Sequence, residues 1–130
     1  MDADIVSYFD HVGHRRLLSE VKERLRGNDE VGFSSLVLHL ISLWNSAPTL
    51  TREGLVLASD RGIPQGSVVS PILANIYLDD FDEALQASQW KLVRFADDFV
   101  VMGKSHAQML TAQAEVRSLL ELLYPCGRIG

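Results

Sequence analysis

Two adjacent carboxylates, Asp97 and Asp98, stand between short runs rich in valine and phenylalanine. Such runs are typical of β-strands, so the pattern predicts a hairpin with both aspartates at or near its turn. Successive strand residues point to opposite faces, so a tight turn is the way for both carboxylates to reach one cleft. Like charges this close repel unless a cation offsets them. A solvated Asp-Asp turn is the simpler alternative, and this stretch alone leaves it open.

Carboxylates also surround an apolar, aromatic run near the start of the chain, at Asp2, Asp4 and Asp10. The run predicts a strand over residues 1–9. Because alternate strand residues share a face, this periodicity does not choose between Asp2 and Asp4. Asp10 falls at the end of the predicted strand, where we expect it to cap or brace the turn.

A loop with the sequence GIPQG at residues 62–66 precedes a largely apolar segment. Glycines on both sides of Pro-Gln let the backbone approach a flat ligand closely. Pro71 suits the first turn of the helix that is predicted to follow. A plain loop with a helix cap explains any two of these residues, but it explains the whole string poorly.

Three strings together resemble the palm motifs of reverse transcriptases. DIVSYFD at residues 4–10 is similar to motif A, GIPQGSVVSPILANIYLDDFD at 62–82 to motif B, and VRFADDFVV at 93–101 to motif C. These motifs are of the bacterial type, similar to those of group II intron maturases and of their CRISPR-associated and retron relatives. The resemblance implies an α/β (α+β) fold, the polymerase palm, in which helices back a small antiparallel ferredoxin-like sheet.

The resemblance implies an RNA-directed DNA polymerase that adds deoxynucleotides to a DNA primer on an RNA template. In two-metal nucleotidyl transfer, two Mg²⁺ ions, for which Mn²⁺ can substitute, stabilise the attacking and leaving oxygens. Mg²⁺ takes hard oxygen ligands, usually one or two carboxylates with substrate phosphates. By the family pattern, Asp4, Asp97 and Asp98 are the catalytic and metal-binding residues, and the carbonyl of Ile5 supplies one more oxygen. The same pattern favours Asp4 over Asp2.

The resemblance also implies a nucleotide-binding set that consists of Ile5, Phe9, Gln65 and Gly66. Phe9 matches the position where the family places a bulky ring beneath the sugar, and such a ring excludes a 2′-hydroxyl by steric clash. A buried strand aromatic is the alternative for Phe9. Gln65 is expected to help to position the incoming deoxynucleoside triphosphate, and Gly66 to lie in the loop that packs against the templating base pair.

Two other functions compete with this interpretation. One is a catalytically silent, truncated palm that acts only as a structural or binding module. The other is a nucleotide cyclase or another ferredoxin-like palm, which the string at residues 62–77 disfavours. Intact Asp4, Asp97 and Asp98 favour an active parent enzyme.

The composition fits one modest domain over residues 1–130, and the net charge is −5. Nucleic-acid binders are usually basic, so the charge alone argues against nucleic acid. In the family, however, the basic surfaces belong to fingers and thumb, and we expect a partial reverse transcriptase domain from which both are absent. A single cysteine, Cys126, excludes an internal disulfide. With no signal peptide or membrane segment in view, we expect a cytoplasmic protein without a membrane partner.

Periodicity and helix-breaking residues predict the remaining elements. We expect helices over residues 14–26, 32–45, 71–87 and 105–123, a small hairpin over 49–59, and strands over 90–96 and 99–102. The apolar residues expected to face a core are Leu36, Leu40, Leu43 and Trp44 in the second helix, Leu73, Ile76, Tyr77 and Leu85 in the third, and Leu110, Ala114, Leu120 and Leu123 in the last. We also expect Phe95 to pack beside the aspartate pair, Arg94 to pair with a nearby acid, His14 to pack or form hydrogen bonds, and the acidic run at residues 79–83 to be a solvated helix face.

Overall fold

The computed structural model describes residues 1–27, 32–51, 54–56 and 59–124. In chain order the elements are β1 (Asp2–Ala3), α1 (Tyr8–His11), α2 (His14–Leu25), α3 (Phe33–Asn45), β2 (Thr49–Thr51), β3 (Gly54–Val56), α4 (Ser70–Tyr77), α5 (Asp79–Gln86), β4 (Lys91–Phe95), β5 (Asp98–Met102) and α6 (His106–Leu123). They form two compact units: a sheet unit of Met1–His11 with Leu78–Gly130, and a helical unit of Val12–Tyr77.

The sheet unit is built on three antiparallel strands in the order β1-β5-β4. Val100 of β5 pairs with Asp2 on one side and with Val93 on the other. Residues directly opposite each other share a face of the sheet. Phe99 and Val101 are buried on one face, whereas the row that contains Val100 is exposed on the other.

Helices cover the buried face of this sheet. α5 packs against β4 and against α6, and the Phe81 ring of α5 meets the Phe99 ring of β5 edge to face, with centroids 5.4 Å apart. Ser105 begins α6 as its N-cap, because its side chain accepts a hydrogen bond from the backbone N–H of Gln108. The sheet unit therefore has a continuous apolar core on one side of its strands.

In the helical unit, α2 packs against both α3 and α4. Leu17 of α2 and Leu73 of α4 are buried at their contacts. The hydroxyl of Tyr77 accepts a hydrogen bond from the N–H of Gly13 at 3.3 Å, and the Arg16 guanidinium lies 5.5 Å from the centre of the Tyr77 ring. β2 and β3 form a separate two-stranded hairpin.

Most predicted elements are confirmed, with two corrections. The strand predicted over residues 1–9 is wrong beyond its start: β1 ends at Ala3, and Ser7 adopts a left-handed φ of 51° that turns the chain into α1. The single helix predicted over 71–87 is two helices, because the backbone at Leu78 departs from helical geometry with φ −92° and ψ 2°. The predicted hairpin over 49–59 is confirmed in its strands, and its turn residues 52–53 lie outside the described residues.

Burial differs from prediction in three places. The α3 residues predicted to face the core are about half exposed, and Leu110 and Ala114 of α6 are exposed too. The α3 set is Leu36, Leu40, Leu43 and Trp44. Phe95, predicted to pack beside the aspartates, is 84% exposed because it lies on the uncovered face of the sheet. The less exposed residues of α3 include Val37, Leu38, Ile41 and Asn45, so the covered side of the helix lies beside the predicted apolar stripe and not at its centre. Within the described ranges, no helix has the length and apolar content needed to cross a bilayer.

Candidate catalytic site

The predicted Asp97-Asp98 hairpin is confirmed. Phe95 pairs with Asp98, so β4 and β5 are joined by a two-residue turn of Ala96 and Asp97. Ala96 has φ 54°, a left-handed conformation that hairpin turns usually assign to glycine or asparagine. A non-glycine residue in this region is strained, and such strain concentrates at functional sites when the surrounding structure holds it in place.

β1 brings the early carboxylates beside this turn. Ala3 pairs with Phe99, and the Ile5 N–H donates to the Asp97 carbonyl at 3.3 Å, which continues the same register two residues further. Continued through residue 4, the register places Asp4 across from Asp98, whereas Asp2 lies across from Val100. The long-range pairing thus separates two residues that strand alternation alone could not tell apart.

Asp4 and Asp98 are exposed and share the open face of the sheet, while Asp97 in the turn is half-buried. Within the part of the chain that the structure describes, no group of three or more His, Cys, Asp or Glu side chains converges on a point that could hold a metal ion. The donor chemistry nevertheless fits a hard divalent cation, because carboxylates on adjacent strands are the ligands that Mg²⁺ takes alongside phosphates and water.

The segment after Asp4 is held by backbone hydrogen bonds. Ile5 is buried, and its carbonyl, the predicted extra metal ligand, accepts a hydrogen bond from the Tyr8 N–H at 3.2 Å, which occupies one of its two lone pairs. Phe9 and Asp10 lie in α1 and not on a strand, because Ser7 redirects the chain before them. The Phe9 ring is half-buried and meets the Tyr8 ring edge to face at 5.6 Å.

An ion pair next to the turn adds Asp82, which the sequence analysis did not include in the site. Arg94 was expected to pair with a nearby acid, and it does: Nε donates to Asp82 Oδ1 at 2.8 Å and Nη2 donates to Asp82 Oδ2. Asp82 was expected on a solvated helix face, which is wrong, because its side chain is only 18% exposed. The hydrogen bonds to Asp82 raise the pKa of Arg94 above its ordinary value despite the opposing effect of burial. The available signal was the inward-facing strand position of Arg94, because a buried cation needs a buried acidic partner.

The helical unit holds the loop at residues 62–66 by its stem. The N–H of Gly62 donates to the Val12 carbonyl at 2.9 Å, and the Gly62 carbonyl lies 2.6 Å from Nε2 of His14. A carbonyl only accepts, so His14 carries its proton on Nε2 and donates here, as the hydrogen-bonding role predicted for it requires. The stem is therefore anchored at the start of α2.

The tip of the same loop is open. Gln65 and Gly66 are exposed, and Gly66 has φ 79°, a conformation that a side chain rarely adopts. On the far side of the tip, the Ser70 hydroxyl donates to the Pro64 carbonyl and the Ser67 hydroxyl accepts from the Val69 N–H. A loop that is braced at both ends and exposed at a glutamine is suited to present that side chain to a ligand.

The three-stranded antiparallel sheet, its helical cover and its acidic hairpin define a polymerase palm. The solved structure of apo telomerase from Candida tropicalis, truncated from the C-terminal domain, superposes with a TM-score of 0.73 over 99% of this chain and 28% of that one, at 16% identity, which shows the fold alone. The chain belongs to the reverse transcriptase (RNA-dependent DNA polymerase) family, whose model matches residues 1–123.

Two sequence relatives extend this assignment. The chain is 31% identical to Protein YkfC of Escherichia coli (strain K12), in a match that covers 93% of this chain and 39% of the relative. It is 36% identical to a COX1/OXI3 intron 2 protein of Saccharomyces cerevisiae over 64% of this chain and 9% of that protein. The chain thus spans less than half the length of either relative.

Proposed function

We propose that this chain is the palm of an RNA-directed DNA polymerase, which adds deoxynucleotides to the 3′ end of a DNA primer on an RNA template. The observation that carries the proposal is the pairing of β1 with β5, which sets Asp4 across from Asp98 beside the Asp97 turn. Family membership supports the reaction class. The fingers and thumb of a longer protein would supply the basic surfaces that a chain of net charge −5 lacks.

In this proposal Asp4 and Asp97 hold two Mg²⁺ ions, with Asp98 as a third carboxylate and the Ile5 carbonyl as a further oxygen. Cations bound there would stabilise charge on the attacking and leaving oxygens of the transfer. The chain's own contribution is to hold carboxylates on adjacent strands, where backbone pairing fixes their spacing. Mn²⁺ suits the same oxygen donors.

Residues outside the acidic group select and orient the nucleotide in this proposal. The exposed amide of Gln65 would form hydrogen bonds to the incoming deoxynucleoside triphosphate, and Gly66 would let the loop backbone approach the base pair without a side chain. Phe9 would exclude a ribose 2′-hydroxyl by steric clash. The exposed apolar face around Phe95 and Val93 offers a surface for sugars and bases.

Primer extension tests this proposal directly. The wild-type chain, and the longest protein that carries this sequence, are incubated with a DNA primer annealed to RNA, deoxynucleotides and Mg²⁺. We expect extension that is abolished by Asp97→Asn and by Asp4→Asn. Asp2→Asn is the matched control, since Asp2 shares the open face but lies across from Val100 and should leave extension unchanged. Full extension by Asp97→Asn, or none by either wild-type protein, would contradict the assignment.

A second candidate is a palm that binds primer and template without catalysis. One observation favours it: among the described residues, no three acidic side chains converge on a common point. This candidate predicts primer–template binding that Asp4→Asn and Asp97→Asn leave unchanged, with no extension at any Mg²⁺ or Mn²⁺ concentration. Primer extension by the wild type therefore separates the two candidates, and the binding measurement shows whether a protein that does not extend still binds primer and template.

A further inference from the structure

Arg94 donates hydrogen bonds both to the covering helix α5 and to the hairpin turn. Nε and Nη2 donate to the carboxylate of Asp82 on α5, while Nη1 donates to the carbonyl of Ala96 at 2.7 Å. The Arg94 side chain is 9% exposed, so these bonds lie away from solvent. One guanidinium thus connects the covering helix to the peptide that immediately precedes Asp97.

The Ala96 carbonyl is one of two backbone groups that fix the conformation of Asp97. The peptide before Asp97 is held by Arg94, and the peptide after it is held by the Ile5 N–H, which donates to the Asp97 carbonyl. Ala96 itself has the unfavourable φ of 54°, which persists only where the surroundings enforce it. The planar guanidinium matches this task, since its fork can bind a carboxylate bidentately and still donate to a third acceptor.

The charge of Arg94 also matters, because the side chain is mostly buried and lies three residues before Asp97 in the chain. Asp82 accepts two of its hydrogen bonds and balances its charge from the side of α5. The carboxylate that follows Arg94 most closely along the chain is that of Asp97 in the turn. An arginine that lost Asp82 and paired with Asp97 would compete with a cation for the same oxygens.

We propose that Arg94 and Asp82 are positioning residues for the acidic turn: Asp82 orients Arg94 and balances its charge, and Arg94 holds the Ala96 carbonyl so that Asp97 is presented to a divalent cation. This inference rests on the proposed function for the cation, but the positioning of the turn is independent of it. The pair differs from a general structural ion pair because one of its hydrogen bonds ends on the turn itself.

Mn²⁺ binding by the 130-residue chain, followed by electron paramagnetic resonance of free Mn²⁺, is the first readout. We expect Arg94→Gln and Asp82→Asn to raise the dissociation constant by about 10- to 100-fold, the usual cost of losing a group that orients a metal ligand. Asp82→Glu keeps the carboxylate and should restore most of the affinity. Glu115→Ala is the matched control: it removes the acceptor for Trp90 Nε1 at the other end of β4 and should stay within about twofold of wild type.

Hydrogen exchange supplies a second readout that needs no metal. The Ile5 amide, which donates to the Asp97 carbonyl, should exchange faster in Arg94→Gln and Asp82→Asn, whereas the Gly62 amide, which donates to the Val12 carbonyl, should not change. Arg94→Lys is a milder variant for use if either substitution prevents folding, because it keeps the charge but cannot reach both partners at once.

The outcomes separate the two proposals. If wild-type Mn²⁺ binding is absent or indifferent to Asp4→Asn and Asp97→Asn, the proposed function fails, while faster Ile5 exchange in the Arg94 and Asp82 variants still supports positioning. If wild type binds Mn²⁺ through those aspartates but Arg94→Gln, Arg94→Lys and Asp82→Asn match it in affinity and in Ile5 exchange, the positioning role is overturned. Equal losses in Glu115→Ala would also overturn it, since they would indicate a general loss of packing.

Discussion

The core between α5 and β5 in the sheet unit and the apolar stripe of α3 in the helical unit differ in how far their side chains are buried. In the sheet unit, Phe81 and Phe99 are fully buried between α5 and β5. In the helical unit, Leu17 of α2 is also fully buried, but Leu36, Leu40 and Trp44 of α3 are about half exposed. Both sets of residues follow the spacing of an amphipathic helix or strand, and only one set is covered by the described part of its own unit.

The difference shows what periodicity does and does not measure. Helical spacing of apolar residues gives the direction in which a stripe points, but whether a neighbour covers that stripe is decided by tertiary packing. The stabilising free energy of an apolar side chain follows the area removed from water. Residues of the same type at covered and uncovered positions should therefore respond very differently to substitution, and the following changes are designed to break or sharpen that contrast.

The largest effect is expected for Phe99→Ala in β5. Phe99 is 1% exposed and meets Phe81 edge to face, so its removal leaves a cavity in the core of the sheet unit. We expect the free energy of unfolding to fall by about 3–5 kcal/mol. Urea denaturation measures it, with the fluorescence of Trp90 as the probe in a Trp44→Phe background, because each unit contains one of the two tryptophans.

Val100→Ala is the control for that experiment, because Val100 neighbours Phe99 on β5 but points to the open face. Its expected cost is below about 1 kcal/mol. A similar loss in both variants would mean that the open face is also covered, and the contrast between the two faces of the sheet would not hold.

Leu17→Ala should be the next largest change, and it acts in the helical unit. Leu17 is fully buried where α2 meets its neighbours, so we expect a loss of about 2–4 kcal/mol. Trp44 fluorescence in a Trp90→Phe background follows this unit. A loss below about 1 kcal/mol would indicate that the core of the helical unit relaxes around the deletion, unlike that of the sheet unit.

Glu20→Gln tests ion pairs within a single helix, in contrast to the Arg94–Asp82 pair, which joins two elements. Glu20 accepts from Arg24 at 3.1 Å and lies 3.9 Å from Arg16, both one helical turn away on α2. Such surface pairs stabilise by about 0.3–0.5 kcal/mol each, and salt screens them. We expect a loss of no more than about 1 kcal/mol at low salt that vanishes at about 1 M salt, whereas the loss in Asp82→Asn should persist there, because that pair is mostly buried.

Much of the fold follows from local pattern. β-branched and aromatic runs predicted β4 and β5, and the amphipathic spacing predicted α2 and α6 with boundaries within about two residues. Neither correction had a local signal. Ser7 is not a residue type that favours a positive φ, and Leu78 interrupts a helix without glycine or proline. In both cases the tertiary structure overrides the intrinsic preference of the residue.

The candidate site divides in the same way. The hairpin turn at Asp97 was predictable because the acidic pair lies directly between its two strands. The pairing of Asp4 with Asp98 and of Asp82 with Arg94 was not, since each depends on a register or packing between distant segments. The preference for Asp4 over Asp2 came from the family resemblance and not from the periodicity of the strand. The roles assigned to Phe9, Gln65 and Gly66 stay predictions.

The smallest effect is expected for Leu40→Gln on α3, and it bears most directly on whether the apolar stripe of α3 is covered. Leucine and glutamine have similar helix propensities, so the substitution changes the apolar surface with little effect on the helix itself. Leu40 is 54% exposed, and we expect the free energy of unfolding to change by less than about 0.5 kcal/mol. Urea denaturation with Trp44 as the probe measures it, beside Leu17→Gln, for which burial of the amide should cost at least about 3 kcal/mol. A Leu40→Gln loss above about 2 kcal/mol would mean that this face of α3 is covered in solution, and the α3 stripe would then resemble the core between α5 and β5.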